Sequence, residues 1–265
     1  RSVGVTGVQT CALPIYAGGA SVALYLLMTG RVCEITINDL DRAIYSFWFA
    51  VIHHTDELCD LIEVTAITPQ EWENQKLILA NKDDEQDVLK LAFATLFLNR
   101  TNFSGILNAG MIGGRNQSGK YKLDCRFNKQ DIIKKIRGIA GKSDSIHVTN
   151  LDAVDLINQL AFNDNTILYF DPPYYLKGPS LYMNHYKYDD HKSVSDAIKG
   201  IKNAKWIVSY DNTDEIQSLY SGLRCTNYSF NHSAGHTRQG NETIFFSDNL
   251  IIEAVHPITL RQLST

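Results

Sequence analysis

The chain has 265 residues, of which 44% are apolar and 20% charged, and its formal net charge is −4. That is the composition of a soluble globular protein with a full core, either one large domain or a domain carrying a sizeable insertion, and a cytoplasmic location is expected. No apolar stretch is long enough to span a bilayer, the five cysteines form no CxxC pair, and the only histidine cluster is His53-His54, so membrane insertion, disulfides and a metal centre are not expected.

Residues Arg1–Ile15 do not read as the start of a protein, for they lack Met and any signal-peptide order. Val5 to Ile15 resembles a translated sequencing-library adapter, so native sequence is expected from about Tyr16, with 1–15 a non-native segment. Tyr16-Ala17-Gly18-Gly19-Ala20-Ser21 is a glycine-rich turn opening a helix over Ser21–Met28, and Cys33–Asn38 reads as a strand ending at Asp39. Glycines let backbone approach a nucleoside, and an acid after the second strand can accept from ribose hydroxyls. This is half of a nucleotide-binding βαβ unit, whose first strand falls in the adapter-like segment.

Asp39–His54 is predicted helical, with Ile44, Phe47, Trp48 and Val51 as a core-facing stripe. Helices are also expected over Pro69–Ala80, begun by a Thr68 cap, and over Asp83–Leu98. The texture then changes. Asn99–Asn128 carries five glycines among basic and amide residues without sustained periodicity, as functional loops do. Asn99, Arg100, Asn102, Asn116, Gln117, Lys120, Lys122 and Arg126 are side chains of the types that reach phosphates and base edges. Between Arg100 and Lys142 stand ten Lys or Arg against two Asp, although the whole chain is acidic. Such segregated positive charge suits phosphate binding, or else forms a solvated loop and helix face.

A basic helix over Lys129–Ile139, a strand over Ile146–Asn150 and a helix over Leu151–Phe162 come next. The apolar run Thr166–Phe170 reads as a buried strand delivering Asp171-Pro172-Pro173-Tyr174 into the crevice where open α/β sheets hold their ligands. Two prolines donate no N–H and hold the chain extended, an ionised Asp171 only accepts, and Tyr174 offers a flat face. Together they suit a planar group bearing NH2, although an acid before two prolines is also an ordinary strand-to-loop turn. The loop Leu176–Asp190, with Tyr182, Asn184, His185 and Tyr186, is a candidate lid. A helix over Ser193–Ile201 and strands over Trp206–Tyr210, Leu223–Phe230 and Glu242–Ser247 complete a largely parallel α/β alternation.

From Tyr16 to its carboxyl end the chain resembles the Dam-like adenine-specific DNA methyltransferases. The resemblance is carried by Ala17-Gly18-Gly19, Asn38-Asp39-Leu40-Asp41, Leu98 to Gly105, Asp171 to Tyr174, and Ser209-Tyr210-Asp211-Asn212, in the family's order. It departs at the start, where Leu13-Pro14-Ile15-Tyr16 stands in place of the family's Gly-Gly-Lys and acid-Pro-Phe segments. The resemblance implies a Rossmann-like S-adenosylmethionine-dependent methyltransferase sheet over 16–64 and 146–265, with a mainly helical target-recognition domain inserted at 65–145. It implies that Gly18, Gly19, Asp39, Asp152 and Asp171 lie about S-adenosylmethionine, and that Asp171, Pro172, Pro173 and Tyr174 form the pocket for an adenine flipped from double-stranded DNA. Asn99 to Lys122 would belong to the recognition domain. Three other readings stay open: the same fold acting on cytosine or RNA adenine, a nonenzymatic DNA-binding remnant, and, more distantly, a nicotinamide dehydrogenase.

Overall fold

The computed structural model describes residues 11–84, 87–160, 162–176, 186–232 and 238–251. In chain order the elements are β1 (Cys11–Pro14), α1 (Ser21–Met28), β2 (Glu34–Asn38), α2 (Arg42–His53), α3 (Thr55–Val64), α4 (Pro69–Ala80) and α5 (Val88–Thr101). There follow α6 (Lys129–Ala140), β3 (Ile146–Thr149), α7 (Ala153–Gln159), β4 (Thr166–Phe170) and α8 (Tyr188–Lys199). The last are β5 (Lys205–Asp211), α9 (Asp214–Leu219), β6 (Arg224–His232) and β7 (Arg238–Phe246). Two compact units result, Arg1–Asn38 with Leu151–Thr265, and Asp39–Asn150.

In the first unit β1 lies between β2 and β4, parallel to both, with register Cys11↔Glu34 and Cys11↔Thr166. β5 continues in parallel beside β4, and β7 and β6 close that side antiparallel. The predicted first strand therefore does fall on the adapter-like segment. Ala12, Leu13 and Ile15 are buried, so this run has the apolar character a central slot requires. Pro14, which cannot donate, stands at the end of β1, and the next donor, Ile15 N, reaches Tyr169 O at 3.0 Å. The core joins Leu13, Leu168, Phe170, Val208 and Phe245 of the strands, and Ile15 just after β1, to Leu156, Val194, Ile198 and Ile216 of the helices. This α/β sheet, largely parallel with helices, is the expected fold class.

In the second unit α5 is the central helix. All eight residues from Leu91 to Leu98 are buried, which is why it lacks an amphipathic stripe, and α2, α3 and α4 pack about it. Caps shift the expected boundaries. The Asp41 carboxylate accepts from Ala43 N at 2.9 Å and starts α2 at Arg42, and Asp87 accepts from Lys90 N and starts α5 at Val88. Helix α3 was not among the expected elements; Leu58, Cys59 and Ile62 bury one of its faces. The helix expected over Leu151–Phe162 is shorter, at Ala153–Gln159, and that expected over Ser193–Ile201 begins at Tyr188. Among the described residues no helix is long and apolar enough to cross a membrane.

Candidate active site

β4 runs between β1 and β5, and its alternate residues Thr166, Leu168 and Phe170 are buried, which aims the chain leaving it at the sheet's carboxyl edge. Asp171 stands there, followed by two buried prolines and a half-buried Tyr174. On the neighbouring strand Ser209 Oγ donates to Asp171 Oδ1 at 2.8 Å and lies 3.2 Å from the Tyr169 hydroxyl. Burial pushes the Asp171 carboxyl up to about 6, the charge of Glu242 adds to the rise, and the Ser209 hydrogen bond opposes it. At neutral pH the group is mostly ionised and serves as an acceptor.

The two residues after Tyr174 are pinned by Asp211, the last residue of β5. Its Oδ1 accepts from Tyr175 N at 2.8 Å and its Oδ2 from Leu176 N at 2.9 Å. Glu242 on β7 accepts from the Tyr174 hydroxyl. Beyond them, the buried His191 places Nδ1 2.9 Å from the Tyr210 hydroxyl, and the rings of Tyr175 and Tyr186 pack against its ring at 5.4 and 5.3 Å. Burial lowers the His191 pKa, against the opposing pull of Asp211 and Asp190. Tyr186 also meets Tyr16, hydroxyl to hydroxyl, at 3.0 Å. Of the candidate lid, Tyr182, Asn184 and His185 lie outside the described residues.

The glycine turn is set by Asn38, which is 1% exposed. Asn38 O accepts from Ala17 N at 2.9 Å, and its side-chain amide donates to Ile15 O at 2.9 Å and Leu151 O at 3.0 Å. Its Oδ1 accepts from Leu151 N at 3.0 Å. Gly18 adopts φ +44, a conformation L side chains rarely take, and among the described residues a Cβ added at Gly18 or Gly19 would meet nothing within 4 Å. The outer face of this turn therefore carries no side chain at Gly18 or Gly19, as close approach by a nucleoside ligand requires. Asp152 caps α7, its Oδ1 accepting from Val154 N at 2.8 Å, which fixes the carboxylate's direction.

In the second unit Asp39 Oδ1 accepts from Asp41 N at 2.9 Å, and Asn150 Nδ2 donates to Asp39 O at 2.7 Å. The candidate nucleic-acid residues of this unit separate into two groups. Asn99, Asn116, Lys120 and Lys122 are exposed, with Asn99 Nδ2 donating to Gly105 O and Lys122 Nζ to Gln117 O. Asn102 is wholly buried: its Oδ1 accepts from Trp72 Nε1 at 2.6 Å, and its amide donates to Ile106 O and Leu107 O. Its side chain holds a turn and does not reach outward, which corrects its expected contact with DNA. Arg126 donates to Asn99 O and Asn102 O, and Arg100 Nε donates to Arg126 O at 2.9 Å. Both guanidinium groups are bound to this unit's own backbone, and burial with the neighbouring Arg126 charge lowers the Arg100 pKa.

The residues missed as site candidates are Asn38, Ser209, Asp211 and Glu242. The first three lie within motifs already singled out, where an amide, hydroxyl or acid beside a named position was the available signal. Glu242 gave none, because its partner Tyr174 is remote in sequence.

Among solved structures the chain is similar to the rRNA methyltransferase aviRa from Streptomyces viridochromogenes, at 10% identity, covering 91% of this chain and 77% of that one, with a TM-score of 0.37. It is also similar to yhhF from Escherichia coli, at 12% identity over 89% and 77% of the two chains, with a TM-score of 0.31. No curated protein matches it. The family model described as D12 class N6 adenine-specific DNA methyltransferase matches residues 8–234, most of the chain. The chain belongs to that family, whose methyl donor is S-adenosylmethionine.

Proposed function

We propose that the protein transfers a methyl group to the exocyclic amino group of an adenine flipped out of double-stranded DNA. The observation that carries the reading is the half-buried Asp171 carboxylate, oriented by Ser209 and followed by two prolines that have no N–H of their own. An aromatic amino group is a poor nucleophile because its lone pair is delocalised into the ring. Asp171 accepts one N–H and the Pro172 carbonyl the other, turning the nitrogen toward tetrahedral geometry with its lone pair directed at the donor. S-adenosylmethionine, when bound, supplies a methyl group already activated on a sulfonium. The protein's task is therefore placement: Gly18 and Gly19 give bare backbone, Asp39, Asp152 and Asp171 give acceptors, and Tyr174 stacks on the base. Asp171, ionised above pH 6, can also receive the proton that the methylated nitrogen sheds.

The inserted segment 65–145 is assigned to target recognition, and the exposed Asn99, Asn116, Lys120 and Lys122 are its candidate DNA contacts, Lys120 and Lys122 binding phosphates. The test is transfer of labelled methyl from S-adenosylmethionine to unmethylated duplex DNA, followed by digestion to nucleosides. Label in N6-methyladenine that vanishes in Asp171→Ala is the expected result. Label in methylcytosine, or in RNA alone, overturns it. DNA binding that falls with salt, without transfer or cofactor binding, would identify a nonenzymatic remnant instead.

A further inference from the structure

The buried Glu242 enters the chemistry just described only through its charge, which adds to the rise of the Asp171 pKa. It is 7% exposed, on β7, directly opposite Asp211 of β5 in the antiparallel register. Two acids facing each other across a ladder destabilise a sheet, and a buried carboxylate costs more than an apolar residue unless its oxygens are satisfied. Both acids stand at the same point because both serve the segment after Asp171. Asp211 takes the N–H groups of Tyr175 and Leu176, and Glu242 takes the hydroxyl of Tyr174. Asp211 already fixes the backbone, and through its bond to the hydroxyl Glu242 adds the orientation of the ring.

The geometry points to Glu242 as a positioning residue for the target base, acting through Tyr174. With its backbone held by the following residues and its hydroxyl held by Glu242, the tyrosine ring is fixed at both ends and presents one face before any base arrives. Ordering a side chain during binding costs roughly a three- to tenfold factor, and Glu242 removes that cost from the catalytic cycle. This inference rests on the proposed reading of Asp171 to Tyr174 as the adenine pocket.

The experiment measures methyl transfer to DNA made by polymerase chain reaction, which carries no methyl groups, for the full chain and four variants. Glu242→Ala is expected to lower kcat about tenfold with the KM for S-adenosylmethionine within twofold of its starting value. Glu242→Gln, which retains an acceptor oxygen, is expected to recover most of that loss. Tyr174→Phe keeps the ring but removes the hydroxyl, so it should match Glu242→Ala, and the double variant should be no slower than the slower single one. A Glu242→Ala enzyme with unchanged kcat, or losses that multiply in the double variant, overturns the inference while leaving the functional reading intact. Should Glu242→Ala fail to fold by circular dichroism, Tyr174→Phe decides, since it leaves β7 untouched, and an unimpaired Tyr174→Phe overturns the inference. No labelled DNA from the unaltered chain overturns the functional reading itself, and the inference with it.

Discussion

Residues 171–176 are held by carboxylates that accept from backbone N–H groups and a tyrosine hydroxyl, whereas residues 99–128 are held by cations and amides that donate to backbone carbonyls. In the first segment Asp211 and Glu242 take the donors of Tyr174, Tyr175 and Leu176. In the second, Arg100, Asn102 and Arg126 supply donors to the carbonyls of Arg126, Ile106, Leu107, Asn99 and Asn102. Each segment is irregular, with few ladder partners, and each recruits side chains of the sign its orphaned backbone groups demand. The acids consume the donors after the motif, so the carbonyls within it remain to accept from a ligand. Part of the positive charge in the other segment is consumed as structure, so fewer cations face outward than a count of Lys and Arg implies.

The sharpest way to break this contrast is Asp171→Ala, which removes a ligand acceptor without removing a backbone restraint. It is expected to fold and to lose at least about a hundredfold in transfer, measured by incorporated label. A variant retaining a tenth of the activity would show Asp171 to be one more restraint. Next comes Asn102→Ala, which strands the buried Trp72 Nε1 and takes a donor from two half-buried carbonyls, and should cost about 2–3 kcal/mol in a urea melt. Asn99→Ala, at an exposed position, should cost less than about 0.5 kcal/mol.

The folded chain raises the Asp171 pKa from 3.8 to about 6, so it favours the protonated form. The native state then binds more protons than the unfolded one between these values, and stability falls as pH rises from 3.8 through about 6. Above that range Asp171→Asn should be more stable than the unaltered chain by about 1–3 kcal/mol. Turnover should move the other way, declining about tenfold per pH unit below about 6, because the transferring form is the ionised one. The smallest effect is expected for Lys120→Ala and Lys122→Ala. Each should weaken DNA binding severalfold and reduce the slope of log affinity against log salt by about one, with little change in melting. Arg126→Ala should instead lower the melting temperature. The reverse pattern would make Arg126 the outward cation and Lys122 the structural one.

The elements that could be read in the sequence are those whose signal is local. Thr166–Phe170 matched its strand, Pro69–Ala80 its helix with the Thr68 cap, and Ser21–Met28 its helix, because an apolar run, a proline and a glycine turn act within a few residues. Helix α3 escaped notice because only His54 separates it from the end of α2, so its apolar residues read as the tail of the preceding pattern. Asn102 was misread for a different reason. An asparagine carries the same donors whether it points at DNA or at Trp72, and burial, which decides between the two, is settled by residues thirty positions away. Ser209 and Asp211 lay inside a recognised motif, yet their service to Asp171 and to the Tyr175–Leu176 backbone depends on the pairing of β4 with β5.

Asn38 binds Leu151 through both its amide donor and its carbonyl oxygen. The residue at which the chain leaves the first unit is thereby stitched to the residue at which it returns, and the intervening residues 39–150 form a closed excursion. The seam itself is made by the first unit's own residues. A lineage could lengthen, shorten or exchange the segment 65–145 within this excursion while Asp39 and the strand that leads to Asp171 stay in place. Specificity for a DNA sequence could then evolve by cassette, leaving the transfer chemistry as common property.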